Sequence, residues 1–329
     1  MYQFIAIFLV SFIVTFLFMP WLIPKLKRAK IFGKDVNKPD SQGFVKFKKE
    51  VPEMGGLGII FGFSVGVLFA IGMSTFFHIF GSEFNLNFIM AAFITVLLMA
   101  IIGILDDLFS MHQAVKAILP LFAAMPLVAI RVGVTKMYFP LLGYVDFGIF
   151  YILILVPIAI TVASNVTNML AGFNGLEAGM GSVACISLAI IAFKIQSINA
   201  LILLLAMAGA LLAFLYYNWY PAKVLIGDVG TLSIGAVIAS SVIIGNFETS
   251  GIIVIIPYAI DFFIKAMNGF PSKNWWGSYE NGKLYCKNKP ISFCQWIMKL
   301  SNGISERNLT ILLILIEAIF GIIAILLSK

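Results

Sequence analysis

Of 329 residues, 61% are hydrophobic and only 11% charged, with a formal net charge of +7. Soluble domains carry about 25% charged residues, so the composition excludes a soluble globular fold. Two histidines and three cysteines (Cys185, Cys286, Cys294), without metal-type pairing, argue against a His-based metal centre, a zinc site and a disulfide framework.

The apolar runs are continuous and about 17–25 residues long, which selects spanning helices over the alternating strands of a membrane barrel. Ten spans are expected: 3–24, 55–77, 88–105, 116–131, 148–164, 179–195, 199–217, 231–246, 251–267 and 309–327. Residues 2–24 lack a basic start and a small-residue cleavage site, and read as a retained helix. The expectation is an all-α, polytopic membrane protein of a single domain, 1–329, with 268–308 as a polar excursion.

If the spans alternate, 18 Lys and Arg side chains fall on one side and 4 on the other, the smaller set being Arg131, Lys136, Lys194 and Lys329. The basic side is cytoplasmic. The positive charge then orients the protein and is no nucleic-acid signature. The loops 25–54, 106–115, 165–178, 218–230 and 268–308 share that face, and every unusual polar cluster lies in one of them. Such a one-sided set suits an enzyme at a membrane surface. A transporter places ionisable groups near the midplane of both halves of a repeat.

Asp106 and Asp107 close the third span. Carboxylates at a helix C-terminus oppose the helix dipole, so this pair can serve a metal, a proton transfer or a cation, or mark a solvated stop. Lys116 would face away from them on an unbroken helix; a break at Ser110–Gln113 would bring it back, though a lone lysine there also suits a snorkelling anchor. Asn165 and Asn168, three apart, share one helix face and offer neutral oxygens, before a glycine-containing turn around Asn174. Asp228 begins the eighth span between glycines, where a carboxylate can hold Mg²⁺ or cap the helix. Asp261 and Lys265, four apart, pair within the ninth span. Glu317 stands alone in the last. Aspartates, asparagines, lysines and glycine turns without a Ser, Cys or His nucleophile suit a metal-held diphosphate, since phosphoryl transfer needs mainly positioning and charge neutralisation.

Several ordered motifs carry a resemblance: Gly33-Lys-Asp-Val-Asn37-Lys38, Pro52-Glu53, Asp106-Asp107, Asn165-Val-Thr-Asn168 through Gly179, Tyr217-Asn-Trp-Tyr-Pro221, Gly227-Asp228, Asn281-Gly-Lys-Leu284 and Glu306-Arg-Asn-Leu-Thr310. By these the chain resembles the polyprenyl-phosphate N-acetylhexosamine-1-phosphate transferases over nearly its whole length. Ala171–Leu176, where bacterial members show Asp-Gly-x-Asp-Gly-Leu, favours the archaeal and eukaryotic branch that uses UDP-GlcNAc and dolichyl phosphate.

The resemblance implies a ten-span fold, a cytoplasmic site, Mg²⁺ or Mn²⁺, and transfer of GlcNAc-1-phosphate from UDP-GlcNAc to a polyprenyl phosphate with release of UMP. It implies Asn168 and Asp228 as metal ligands. It places Asp106 and Asp107 by the attacking phosphate, with Lys116 neutralising charge. Lys34, Val36, Glu53, Asn165 and Asn174 would lie at the nucleotide sugar. The family's His- or Arg-rich loop after span 9 reads Pro271-Ser-Lys273-Asn-Trp275-Trp276-Gly here, leaving Lys273 as a point charge in its place. The expected partners are UDP-GlcNAc, polyprenyl or dolichyl phosphate and the bilayer, with a homodimer as an option and no nucleic acid. The alternatives are another UDP-N-acetylhexosamine, undecaprenyl phosphate as acceptor, or a lipid-phosphate transporter.

Overall fold

The structure, a computed structural model, describes residues 2–34, 50–139, 143–271 and 274–328. In chain order the helices are α1 (Tyr2–Arg28), α2 (Gly56–Phe77), α3 (Leu86–Phe109), α4 (Gln113–Ala123), α5 (Met125–Ala129), α6 (Val156–Met169), α7 (Leu176–Lys194), α8 (Ile198–Asn218), α9 (Gly227–Gly245), α10 (Glu248–Met267), α11 (Phe293–Leu300) and α12 (Glu306–Leu327). The strands form three two-stranded antiparallel ribbons: β1 (Phe32–Lys34) with β2 (Glu50–Pro52), β3 (Lys136–Phe139) with β4 (Gly143–Asp146), and β5 (Ser278–Glu280) with β6 (Lys283–Tyr285). The polytopic helical expectation holds.

Among the described residues nine helices are long and apolar enough to cross a bilayer. The expected span 116–131 differs, because it is broken into α4 and the single-turn α5, with Pro120 inside the first and Pro126 in the opening turn of the second. Proline at 126 has no N–H to return to the carbonyl of residue 122 and its ring crowds that carbonyl, which favours a kink or break at this point. Hydropathy alone does not register that break. Each of the other nine expected spans has its helix; the largest difference is at 148–164, where a π-helical turn at Tyr151–Leu155 precedes α6 and the helix runs on to Met169.

Helices α8 and α9 sit at the centre, and α9 is buried along nearly its whole length. Small residues make this possible, since apolar helices in lipid associate by close backbone approach and not by the hydrophobic effect. A Cβ at Gly235 would lie 2.4 Å from the Ala163 carbonyl oxygen of α6, and one at Gly103 of α3 would lie 2.4 Å from the Val229 Cα of α9. α9 therefore packs directly on both α3 and α6, while α1, α2 and α7 surround α8. A second hydrophobic cluster joins the C-terminal end of α6, Phe173 and Leu176 to Tyr258, Leu284, Met298 and Leu309. It seats the 274–304 segment against the helix ends that carry the polar residues.

Candidate active site

The break expected after Asp107 is there. α3 ends with Ser110 in the left-handed region, φ 50°, its amide donating to the Asp106 carbonyl at 2.8 Å. The Met111 amide then donates to Asp106 Oδ1 at 2.8 Å. This turn starts α4 at Gln113 and swings Lys116 back to the acids. The Lys116 ammonium pairs with Asp106 Oδ2 on one side and Asp228 Oδ2 on the other. The Asn168 carboxamide completes the ring. In the orientation that satisfies its neighbours, its oxygen accepts from Lys116 Nζ at 2.8 Å, and its nitrogen donates to Asp228 Oδ1 at 2.9 Å and Thr231 Oγ1 at 2.8 Å. Three oxygens from α3, α6 and α9 thus converge on one cation. The side chains of Lys116 and Asp228 are 13% and 25% exposed, sheltered but reachable from water.

Asp107 has a different position. Its two carboxylate oxygens accept the amides of Asp228 at 2.8 Å and Val229 at 3.2 Å, so it caps α9 from another helix. A carboxylate on the positive end of a helix is favourable. The approach requires glycine twice. Gly103 lets α3 touch Val229, and Gly227, at φ +70°, has no room for a Cβ, which would meet Asp107 Oδ2 at 2.6 Å. The arrangement depends on a contact between distant segments, and no spacing within 106–107 could have announced it.

Glu53 follows β2, with its amide donating to the Ile31 carbonyl at 3.1 Å. Residues 52–56 run beside 225–226, with Leu225 N donating to Pro52 O at 2.7 Å and Gly56 N to Ile226 O at 2.8 Å. Burial, and then the nearby Asp228 carboxylate, raise the pKa of Glu53 above its ordinary 4.5, against the pull of Lys116. The backbone of Lys34 pairs with Glu50 in the β1–β2 ribbon. The Lys34 side chain, Val36 and Lys273 lie outside the described residues.

Asn165 lies one turn before Asn168, its Nδ2 donating to the Thr161 carbonyl at 2.8 Å. Asn174, in the turn after α6, is held by bonds of its own. It is 2% exposed, its backbone amide and Nδ2 both donate to Glu306 Oε1, and its Oδ1 accepts from the Ala222 amide at 2.6 Å. Here Asn174 joins three segments of chain. Glu177 receives the Gly172 amide and Asn218 Oδ1 the Gly175 amide at 3.0 Å, so the glycine turn is bonded throughout. Thr231, Glu177, Asn218 and Glu306 are not singled out by the sequence, although Glu177, Asn218 and Glu306 stand inside the quoted motifs. Glu317, midway along α12, is fully buried, and among the described residues its carboxyl oxygens have no hydrogen-bond partner.

The cluster fits a hard divalent cation. Among the described residues Asp106, Asp107, Asp228 and Glu53 gather around one ammonium, that of Lys116, leaving an excess of negative charge there if all ionise. Among the described residues no three His, Cys, Asp or Glu side chains are grouped as a metal site. Mg²⁺ needs no such group, because it keeps several waters and takes one or two carboxylates beside substrate phosphates. Two carboxylates and a carboxamide oxygen meet that requirement.

The sequence matches the Glycosyl transferase family 4 over residues 88–246, which begin within α3 and end just past α9. It is 37% identical over 322 residues to a Saccharolobus solfataricus protein that bears, provisionally, the name UDP-N-acetylglucosamine–dolichyl-phosphate N-acetylglucosaminephosphotransferase, covering 97% of this chain and 95% of that one. A Dictyostelium discoideum protein of that name is 27% identical over 352 residues, covering 93% and 84%. A phospho-N-acetylmuramoyl-pentapeptide-transferase of Halalkalibacterium halodurans is 32% identical over 260 residues, covering 75% and 76%.

Proposed function

The chain belongs to glycosyl transferase family 4, and from that premise we propose that it transfers GlcNAc-1-phosphate from UDP-GlcNAc to a membrane polyprenyl phosphate of the dolichyl type, releasing UMP. This would be the first membrane step in building a lipid-linked oligosaccharide for N-glycosylation. Residues 1–329 act as one membrane-embedded domain, with the reacting groups on the cytoplasmic face. The observation that carries the reading is the convergence of Asp106, Asp228 and Asn168 on one cationic position, at helix ends that meet water.

In the reaction an oxygen of the lipid phosphate bonds to the β-phosphorus of UDP-GlcNAc. The bond from that phosphorus to the bridging oxygen breaks, and the oxygen leaves with UMP. Asp228, Asn168 and Asp106 would hold Mg²⁺ or Mn²⁺, which when bound supplies positive charge to the diphosphate. Lys116 holds an ammonium among these oxygens, where it can offset the charge that develops on the departing UMP. Asp107 holds the first amides of α9 and thereby fixes Asp228. Both of its oxygens are already occupied, which speaks against Asp107 as a nucleophile and for direct attack by the lipid phosphate. Asp106 orients that phosphate. A phosphate monoester has its second pKa near 6, so no strong base is required.

The test is UMP release from purified protein mixed with Mg²⁺, dolichyl phosphate and each of a panel of UDP-sugars. Release with UDP-GlcNAc in preference to other donors is the expected result. Equal release without a lipid phosphate, or none with any donor, would remove the reading. A covalent sugar-phosphate trapped on Asp106 or Asp107 would replace direct attack with a two-step route.

A further inference from the structure

The Asp261–Lys265 pair of α10 does more than the intrahelical contact its spacing suggests. The two charges are 2.7 Å apart and nearly fully buried, with side chains 0% and 8% exposed. Breaking such a pair is strongly unfavourable, because a charge is left buried without its partner. Lys265 Nζ also donates to the carbonyl of Met169, the last residue of α6. That carbonyl is among the four that an α-helix end leaves without an intrahelical donor, and a cation there also suits the helix dipole. Asn168 is the residue immediately before it.

The same ammonium lies 5.0 Å from the centre of the Trp275 ring. Trp275 in turn lies so close over Gly172, at φ +109°, that a Cβ there would be 2.3 Å from the indole. On the other side Asp261 Oδ1 accepts the amide of Phe293, the first residue of α11, at 2.8 Å, and Ser292 Oγ donates to the Trp275 carbonyl at 2.8 Å. One buried ion pair thus fastens the end of α6, the glycine turn after it and the 274–293 segment to α10.

We propose that Lys265, held in place by Asp261, is a positioning residue for Asn168: it closes the C-terminal end of α6 so that the Asn168 carboxamide stays aimed at the cation position shared with Asp106 and Asp228. The proposal rests on the reading of Asn168 as a cation ligand. Lys265 touches neither substrate nor cation. Without its ammonium the Met169 carbonyl loses this donor, the last turn of α6 loosens, and the ligand one residue back loses its direction. Partners outside the coordination sphere of a metal typically account for 10–100-fold in its affinity.

Two measurements on the full-length protein in detergent test this. The first is titration with Mn²⁺ alone, with free Mn²⁺ read by electron paramagnetic resonance. Lys265→Met should weaken binding by about 10–100-fold, and Lys265→Arg, which keeps the charge and a donor, should recover most of the loss. The second is hydrogen exchange of the 166–175 peptide without metal. Exchange there should speed up in Lys265→Met and return towards the parent rate in Lys265→Arg.

Parent-like Mn²⁺ affinity in Lys265→Met overturns the proposal, as does unchanged exchange in that peptide. If the parent protein binds no Mn²⁺, or Asp228→Ala binds it equally well, the metal reading fails instead, and the exchange result still decides whether Lys265 holds the helix end. Should Lys265→Met not fold, Asp261→Asn keeps an oxygen for the Phe293 amide and removes the counter-charge. It should move both readouts in the same direction by less, and no movement in either overturns the proposal.

Discussion

Helices α3 and α9 each have polar residues at both ends, and the two ends do different things. At one end Asn199 Oδ1 receives the Asn85 amide before α3 at 2.9 Å, and Asn246 after α9 receives the Val134 amide at 2.5 Å. Nearby Glu248 meets the Tyr151 hydroxyl, and Asp146 Oδ1 accepts from Thr135 Oγ1 at 2.7 Å and from the Gly148 amide at 2.9 Å. Each of these oxygens meets a neutral donor in a small, closed arrangement that fastens a turn. At the other end Asp106 and Asp107 of α3, Asp228 of α9 and the approaching Glu53 crowd around one lysine. At the first end the polar oxygens are each taken up by neutral donors and serve structure. The second gathers four carboxylates around one ammonium, and their mutual repulsion is relieved by a bound proton or by a further cation. The difference shows that polar residues at membrane depth are informative through their charge balance, not their number.

The largest effect should come from Asp228→Ala, which removes a carboxylate from the shared cation position. Turnover, followed as UMP release, should fall by about 10³-fold or more, the scale of losing a main electrostatic stabiliser of the transferred group. A variant with parent-like rates at limiting Mg²⁺ would make this end as structural as the other. Asp107→Asn comes next. It takes the charge from the α9 cap and leaves only one oxygen for two amides, so the rate should drop about a hundredfold while thermal unfolding reveals a loss of about 1 kcal/mol, the usual worth of a cap. Loss of rate without any loss of stability would mean that Asp107 acts on substrate directly.

That distinction marks what the sequence held and what it did not. The cluster of acids, the carboxamides on one face of α6 and the break at Ser110 were legible, because each is set by composition or local spacing. Lys116 could be brought back to the acids by that break alone. The role of Asp107 could not be read, because it follows from Gly103 and Gly227 letting α3 and α9 meet, and such a meeting has no signal within either segment. The contacts of Asn174 were hidden for a similar reason: its neighbours Glu306 and Ala222 come from distant parts of the chain. The interruption between α4 and α5 was written in Pro120 and Pro126, but continuous hydropathy concealed it.

At the closed end the expected change is in stability only. Asn199→Ala removes the acceptor of the Asn85 amide and the donor to the Glu83 carbonyl, 2.9 and 3.2 Å away. Leaving such partly buried groups unpaired should cost about 1–3 kcal/mol. UMP release per folded molecule should stay at the parent value, measured well below the unfolding transition. A tenfold fall in that rate would show that the two ends are coupled through α3 or α8.

The smallest effect concerns Glu53, and it tests whether the crowding of charge is felt in the protein without its metal. Burial and Asp228 raise the pKa of Glu53 above 4.5, so the folded protein holds this proton more tightly than the unfolded chain does. Where the folded state binds more protons, stability falls as pH rises. The contribution is therefore fully present below the unfolded value of 4.5 and is lost as pH climbs through the raised folded value. In chelator-treated protein, thermal unfolding from pH 4 upward should show that decline, and Glu53→Gln, which carries no charge at any pH, should flatten it. Chelated protein is the right material, because a bound cation would favour the ionised carboxylate and mask the slope. If parent and Glu53→Gln proteins decline in parallel across this range, neither burial nor the field of Asp228 holds the Glu53 proton in the folded protein.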